Sequence, residues 1–274
     1  MADSAINNVE LDMLLETILR IYGYDFRNYA KASLKRRLLG FIEKNKIHSY
    51  VQLQEKLSHD KNLFSALLQD LSITVTEMFR DPTFYLEFRN NVIPILKTYP
   101  FIKIWHAGCA TGEEVYSMAI LLYEEGLLSK TKFYATDFNV VALEKAKQGI
   151  YKAQYAKQFI QNYNKSGGSS EFSNYHSTHY GAIKIHEFLK KNMTFAYHNL
   201  AVDRVFGEMN VILCRNVLIY FDSQLQNRVL TLFNDSLCHR GFLCLGTKES
   251  LNFTTVIDNF DKFVKKEKIY RRRT

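Results

Sequence analysis

Residues 101–139, FIKIWHAGCATGEEVYSMAILLYEEGLLSKTKFYATDFN, constrain this chain more than any other stretch. They read as strand, glycine-containing loop, helix, strand and acid. Ile102, Ile104 and Trp105 lie in a short apolar run ending at Ala107. Gly108, Ala110 and Gly112 are the small residues of a tight turn. A helix follows with Met118, Ala119, Leu121 and Leu122 on its apolar side, and a second apolar run, 132–136, closes on Asp137. This is the recipe for a nucleotide-like ligand over the carboxyl ends of parallel strands. Small residues let backbone approach the ligand, the helix N-terminus offers free N–H groups, and the acid accepts from ribose hydroxyls.

The loop does not read as an NAD site. The loop lacks the full GxGxxG, and Glu113 and Glu114 open the helix where a diphosphate needs positive potential. Two carboxylates there suit an ammonium or sulfonium group instead. S-adenosylmethionine carries both.

At 274 residues the chain holds one large or two medium domains. A hydrophobic fraction of 47% with 23% charged residues is that of a globular protein, and no apolar run reaches membrane-spanning length. The first residues carry acids and no basic leader region, so no secretory signal is expected. Cys109, Cys214, Cys238 and Cys244 form no CxxC pair. They point to reduced thiols in a cytoplasm, without a zinc site or a disulfide frame. The net charge is +8, concentrated near both ends. A basic face serves nucleic acid, an anionic membrane surface or an acidic protein, or simply solubility.

Residues 9–71 carry apolar positions at helical spacing, among them Leu11, Leu14, Leu15 and Ile18, and predict a small all-α bundle. Within it, 29–46 is a basic amphipathic helix, either docking an acidic substrate or presenting a solvated face. Residues 72–82, SITVTEMFRDP, read as an extended linker with Arg80 in an apolar context beside Met78 and Phe79. A connecting helix over 83–96 leads to the first strand. The strand–helix alternation then breaks at about 150–197. That segment predicts an inserted antiparallel hairpin subdomain, including possible strands at 182–185 and 193–197, and a mobile loop across the polar tract 162–179. Its histidines, His176, His179 and His186, lack metal-ligand spacing and are expected at the surface. Alternation resumes with an apolar strand at 210–214, a helix over 224–238 and a buried strand at 241–246. Residues 261–273 suit a last antiparallel strand at a sheet edge. The division is therefore 1–71 helical, 72–100 linker and connecting helix, and 101–274 catalytic with the insertion.

The segments SITVTEMFRDP, AGCATGEEVYSMA, YATDFN, HNL and CRNVLIYF, in this order, resemble the CheR chemotaxis-receptor methyltransferases. The likeness runs over most of the chain. It implies a Rossmann-like S-adenosylmethionine-dependent methyltransferase sheet with a small antiparallel β-subdomain inserted, behind an all-α N-terminal domain. It also implies methyl transfer from S-adenosylmethionine to glutamate side chains on cytoplasmic receptor helices, leaving S-adenosylhomocysteine. Carried over residue by residue, Thr74, Thr76 and Arg80 match linker positions that touch the cofactor. Gly108 and either Glu113 or Glu114 match the loop and its acid, and Asp137 matches the ribose-binding acid. The pairs Asn199–Leu200 and Asn216–Val217 match positions flanking the adenine and the methionyl group. Arg80 and Tyr220 match residues facing the reacting centre. No metal is implied, and the chain is expected to act as a cytoplasmic monomer. The insertion resembles the subdomain that contacts receptors. Two departures stand out: Val115 replaces a usual proline, and Gly246-Thr-Lys-Glu-Ser-Leu251 lacks the histidine of a usual Gly-His-Ser-Glu.

Two rival readings use the same cofactor. A nucleic-acid methyltransferase would suit the charge, but the only prolines are Pro82, Pro94 and Pro100. There is no Pro-Cys nucleophile pair and no Asn/Asp-Pro-Pro-Tyr tetrapeptide. A non-catalytic cofactor sensor, or a carboxyl methyltransferase on another acceptor, keeps the same loop and acid.

Overall fold

The computed structural model describes residues 7–72 and 76–273. Thr74 lies outside the described residues. The chain divides into two compact units: 1–73 with 219–228, and 74–218 with 229–274.

The first unit is helical. Helix α1 (Asn8–Tyr22) starts at a capping box: Asn7 accepts from the Glu10 N–H, and Glu10 returns the contact. Gly23, at φ 75°, ends it. Helices α2 (Lys31–Lys44), α3 (Tyr50–His59) and α4 (Lys61–Leu71) follow, with Ser49 and Asp60 as side-chain caps of the last two. Their apolar positions converge on one core, including Leu11, Leu15, Leu34, Leu38, Leu53 and Leu67. The basic helix starts two residues later than its pattern predicts, because Tyr29 is drawn into a bridge with Phe221. Of its cations, Lys31 pairs with Asp12 and Lys44 with Asp70. Arg37 turns inward onto the carbonyls of Asp70 and Leu71.

The second unit is α/β. Its first helix is continuous but changes pitch: α5 (Pro82–Glu87), a π turn (Phe88–Val92) and α6 (Ile93–Leu96). Pro94 has no N–H to give, and the wider turn before it absorbs the disruption. Then come β1 (Ile102–Ala107), α7 (Glu113–Glu124), β2 (Thr131–Asp137) and α8 (Val140–Gln148). The insertion carries β3 (Ile150–Lys152), α9 (Ala156–Lys165), β4 (His176–His179) and β5 (Ala182–Ile185). The chain closes with β6 (Met193–Tyr197), β7 (Met209–Cys214), α10 (Ser223–Ser236), β8 (Leu237–Leu245), β9 (Phe260–Val264) and β10 (Ile269–Arg272).

The main sheet has seven strands in the order β6-β2-β1-β7-β8-β10-β9. The first five run parallel; β10 is antiparallel to both of its neighbours. A second sheet, β3-β5-β4, is antiparallel. The apolar runs of β1 and β7 are buried because helices cover a parallel sheet on both faces. This is the α/β architecture, all-α front and small inserted sheet that the sequence predicts.

Three expectations are corrected. Residues 193–197 do not pair within the insertion; they form β6, parallel to β2, with Asp137 opposite Tyr197. The tract 162–179 is structured, not loose. The buried Glu124 carboxylate accepts from the hydroxyls of Tyr163 and Tyr175, the Ser169 N–H and Arg89. Gly168 belongs to this packing, since a Cβ there would sit 2.2 Å from the Tyr163 ring. Finally, 261–273 is two strands, and the later one, β10, lies inside the sheet with β9 at the edge.

Candidate functional site

Register places the carboxyl ends of β6, β2, β1, β7 and β8 in one row. Asp137 lies opposite Tyr197, Ala107 opposite Thr136, His106 opposite Leu213, and Cys214 opposite Leu245. The segments leaving these ends carry the expected ligand residues. They are Gly108 after β1, Asp137 ending β2, Asn199 and Leu200 after β6, and Asn216 and Val217 after β7.

The loop after β1 is fixed by backbone. The N–H groups of Gly108 and Cys109 both donate to the Thr136 carbonyl, at 2.8 and 2.9 Å. Gly108 (φ 77°), Ala110 (φ 48°) and Gly112 (φ 92°) are left-handed. At Gly108 a Cβ would meet Val217 Cγ2 at 2.6 Å, so the glycine lets the β7 loop close on the β1 loop.

Asp137 is 8% exposed and serves the fold as well as any ligand. Its Oδ2 accepts from the Ala110 N–H and its Oδ1 from the Asn139 N–H, both at 2.8 Å. A carboxylate has about four lone-pair positions, so acceptor capacity remains beyond these backbone donors. Burial raises its pKa, outweighing the backbone donors of Asn139, Ala110 and Phe138. His198 donates from its N–H to the Asp137 carbonyl at 3.2 Å, which brings the next residue, Asn199, alongside. Asn199 is buried and folded on itself: its Oδ1 accepts from the Ala201 N–H, and its own N–H donates to Asp203. Leu200 beside it is buried.

The two glutamates at the start of α7 have different surroundings. Glu114 is engaged: Oε1 lies 3.0 Å from His106 Nδ1 and Oε2 lies 3.4 Å from Arg215 Nη1. Burial alone raises its pKa, but His106 and Arg215 hold it below the usual carboxylate range. Glu113 receives one side-chain donor, the Thr111 hydroxyl at 2.7 Å. Burial pushes its pKa up to about 7 against that contact. Among the described residues, Glu113 thus has no ion pair, whereas Glu114 has two.

Arg80 sits between two left-handed residues, Phe79 (φ 53°) and Asp81 (φ 55°). Its neighbours are pinned. The Phe79 N–H donates to Ser117 Oγ at 2.8 Å, and Asn162 Nδ2 donates to the Met78 carbonyl at 3.0 Å. Among the described residues, no hydrogen bond or ion pair engages the Arg80 guanidinium. Thr76 is half-buried in the approach to this turn.

Asn216 is left-handed at φ 63°. One buried carboxylate, Glu249, holds its loop, accepting from the N–H groups of Asn216 (3.0 Å), Val217 (2.8 Å) and Gly246 (2.6 Å). Glu249 and Arg215 are the site residues that sequence reasoning misses. Arg215 had a signal: it is a lone charge between two apolar runs. Glu249 had none, since it lies in a polar loop without periodicity. Tyr220 falls in the helical unit, where the Arg37 guanidinium lies 5.7 Å from its ring centroid and its carbonyl accepts from the Ala30 N–H.

The donor set fits S-adenosylmethionine. Among the described residues, Glu113 is a desolvated acid without an ion pair, Asp137 keeps acceptor capacity, and the Arg80 guanidinium has no hydrogen bond or ion pair. Among the described residues, no group of three or more His, Cys, Asp or Glu can hold a metal ion. No described helix is long and apolar enough to cross a membrane.

Comparisons with known proteins point to the same cofactor. Residues 10–72 match the family model of the CheR methyltransferase all-alpha domain. Residues 74–268 match that of the CheR methyltransferase SAM binding domain. A Pseudomonas putida protein named "Putative methyltransferase Cher3" is 51% identical over 265 residues, 97% of each chain. A chemotaxis protein methyltransferase of Listeria innocua is 28% identical, covering 90% of this chain and 92% of that one. A Rhodobacter capsulatus protein of 104.1 kDa is 29% identical, but this chain spans only 27% of it. The solved magnesium protoporphyrin IX methyltransferase of Synechocystis PCC 6803, with bound SAH, is 17% identical. It covers 61% of this chain and 58% of that one at a TM-score of 0.34, too slight a likeness to argue from. Fold, donor set and both family matches converge: the chain belongs to the CheR methyltransferase family and binds S-adenosylmethionine.

Proposed function

We propose that this protein methylates glutamate side chains on cytoplasmic helices of chemoreceptor-like proteins, forming glutamyl methyl esters. The observation that carries this reading is Arg80, whose guanidinium has no hydrogen bond or ion pair among the described residues, on a turn whose neighbouring backbone groups are pinned. When bound, S-adenosylmethionine supplies an electrophilic methyl group on sulfur. A glutamate acceptor has an ordinary pKa of about 4.3 and arrives as an anion, so it needs a cation to aim it rather than a base to activate it. Arg80 can supply that cation, or can hold the methionyl carboxylate of the cofactor. Glu113 takes the ammonium group, Asp137 the ribose hydroxyls, and Asn199, Leu200, Asn216 and Val217 flank the rest. Thr74, Thr76 and Tyr220 are carried into this proposal by the family resemblance alone.

The acceptor side is supported by α2. Lys35 and Arg36 form no ion pair among the described residues, so this helix offers uncommitted positive charge to an acidic helix. Incubation with labelled cofactor and a receptor cytoplasmic fragment tests the proposal. Base-labile label on the fragment is the expected result. Base-stable label, or no label with cofactor binding retained, overturns it, the latter in favour of a sensor.

Glu113 predicts a pH dependence. Its pKa in the fold is about 7, above the ordinary 4.5, so it is neutral below pH 7 and anionic above it. A cationic ligand therefore binds less well as pH falls through 7. Calorimetric affinity should drop about eightfold from pH 7.5 to 6 if only the anion binds. Glu113→Gln should bind weakly and flatten this dependence; an unchanged profile excludes the assignment. The same shift makes the ligand-free protein lose stability as pH rises from the ordinary carboxylate range to about 7.

A further inference from the structure

Arg215 leaves the end of β7 with its side chain 2% exposed. Its Nη2 donates to Asp81 Oδ2 at 2.9 Å. Its Nη1 donates to Glu114 Oε2 at 3.4 Å, and both terminal nitrogens reach the Arg80 carbonyl at 3.4 Å. The guanidinium carbon lies 4.0 Å from the Phe84 ring centroid. One planar group therefore joins three separate segments: the turn 79–81 with the start of α5, the start of α7, and the β7 loop. The joined turn is the one that bears Arg80. Left-handed backbone on both sides of Arg80 is unfavourable for Phe79 and Asp81, so surrounding contacts must hold it. The contact on the Arg80 carbonyl and the Asp81 carboxylate is supplied by Arg215.

We propose that Arg215 is a positioning residue for methyl transfer: it fixes the 79–81 turn and thereby aims the Arg80 guanidinium, without touching the reacting groups itself. Its fork geometry is needed because it serves a carbonyl and two carboxylates at once, which the point charge of a lysine cannot do. The inference rests on the proposed carboxyl methylation for its rate readout only.

The test uses the full chain. Arg215→Lys keeps the buried charge. Amide exchange across residues 76–82 should accelerate at least about tenfold, with β1 and β2 amides unchanged. The kcat for ester formation should fall at least about tenfold, and cofactor affinity should follow that of Arg80→Ala: kept if Arg80 aims the acceptor, lowered if it holds the methionyl carboxylate. Combined with Arg80→Ala, Arg215→Lys should slow the reaction no further, since both act through one group. Unchanged exchange at 76–82, or losses that multiply in the double variant, overturns the proposal. Should Arg215→Lys fail to fold, Asp81→Asn weakens the same contact while keeping a residue tolerant of left-handed backbone. It should accelerate exchange about threefold, and no acceleration there overturns the proposal. If the wild-type protein forms no ester, the acceptor assignment fails while the exchange result still decides the role of Arg215.

Discussion

Replacing Asp137 with alanine is expected to abolish measurable S-adenosylmethionine binding by calorimetry. The acceptor capacity left after the Ala110, Asn139 and Phe138 N–H groups is what is proposed to take the ribose hydroxyls. Hydrogen bonds to a charged group contribute about 1.5–3 kcal/mol each, so losing one or two costs roughly ten- to ten-thousandfold in affinity. The same change strips two buried backbone donors of their acceptor, at about 1–3 kcal/mol each, so the melting temperature must fall as well. Asp137→Asn separates the two effects. It keeps the shape and one acceptor oxygen, so it should melt closer to the wild type and still bind at least about tenfold more weakly. Unchanged affinity in a folded Asp137→Ala protein would sink the ribose assignment.

Arg80→Ala should behave in the opposite manner: almost no change in stability, near-total loss of ester formation. Among the described residues no group is hydrogen-bonded or ion-paired to the guanidinium, so unfolding should shift by no more than about 0.5 kcal/mol. A misaimed acceptor costs about a hundredfold or more in rate. The accompanying constants tell its two candidate roles apart. If Arg80 aims the acceptor, kcat falls and cofactor affinity holds. If it binds the methionyl carboxylate, cofactor affinity falls too. Arg80→Lys restores charge without the fork and should recover only part of the rate. Near-normal turnover in Arg80→Ala would refute both roles.

These two residues mark how far the sequence could be read. Asp137 was legible because an acid ending a buried run breaks a strong local pattern. The structure adds that it also anchors Ala110 and Asn139, a role that depends on where a distant loop returns. Arg80 stood out as a charge among apolar residues, yet nothing local shows that Phe79 and Asp81 are both left-handed. The Glu249 clamp was invisible: it joins Gly246 to Asn216 and Val217 across 33 residues in the longest of its contacts. The different surroundings of Glu113 and Glu114 likewise depend on His106 and Arg215, which lie 8 and 101 residues from Glu114. Strand membership failed for a related reason. Residues 193–197 have the composition of a strand, but composition does not name the partner, and the partner was β2. Local propensity fixes that a strand exists; long-range packing fixes where it goes.

The interleaving of β9 and β10 bears on how the protein is made. β9 is synthesised first, yet its only partner in the sheet is β10, which follows it. Until β10 has been added and slots in beside β8, β9 is an unpaired strand beside an exposed sheet edge, the condition in which chains associate wrongly. Asp261 and Lys262 are exposed on that strand, and Lys265 and Lys266 in the turn after it. Charge along this hairpin thus protects the nascent chain during the interval in which the sheet is still open.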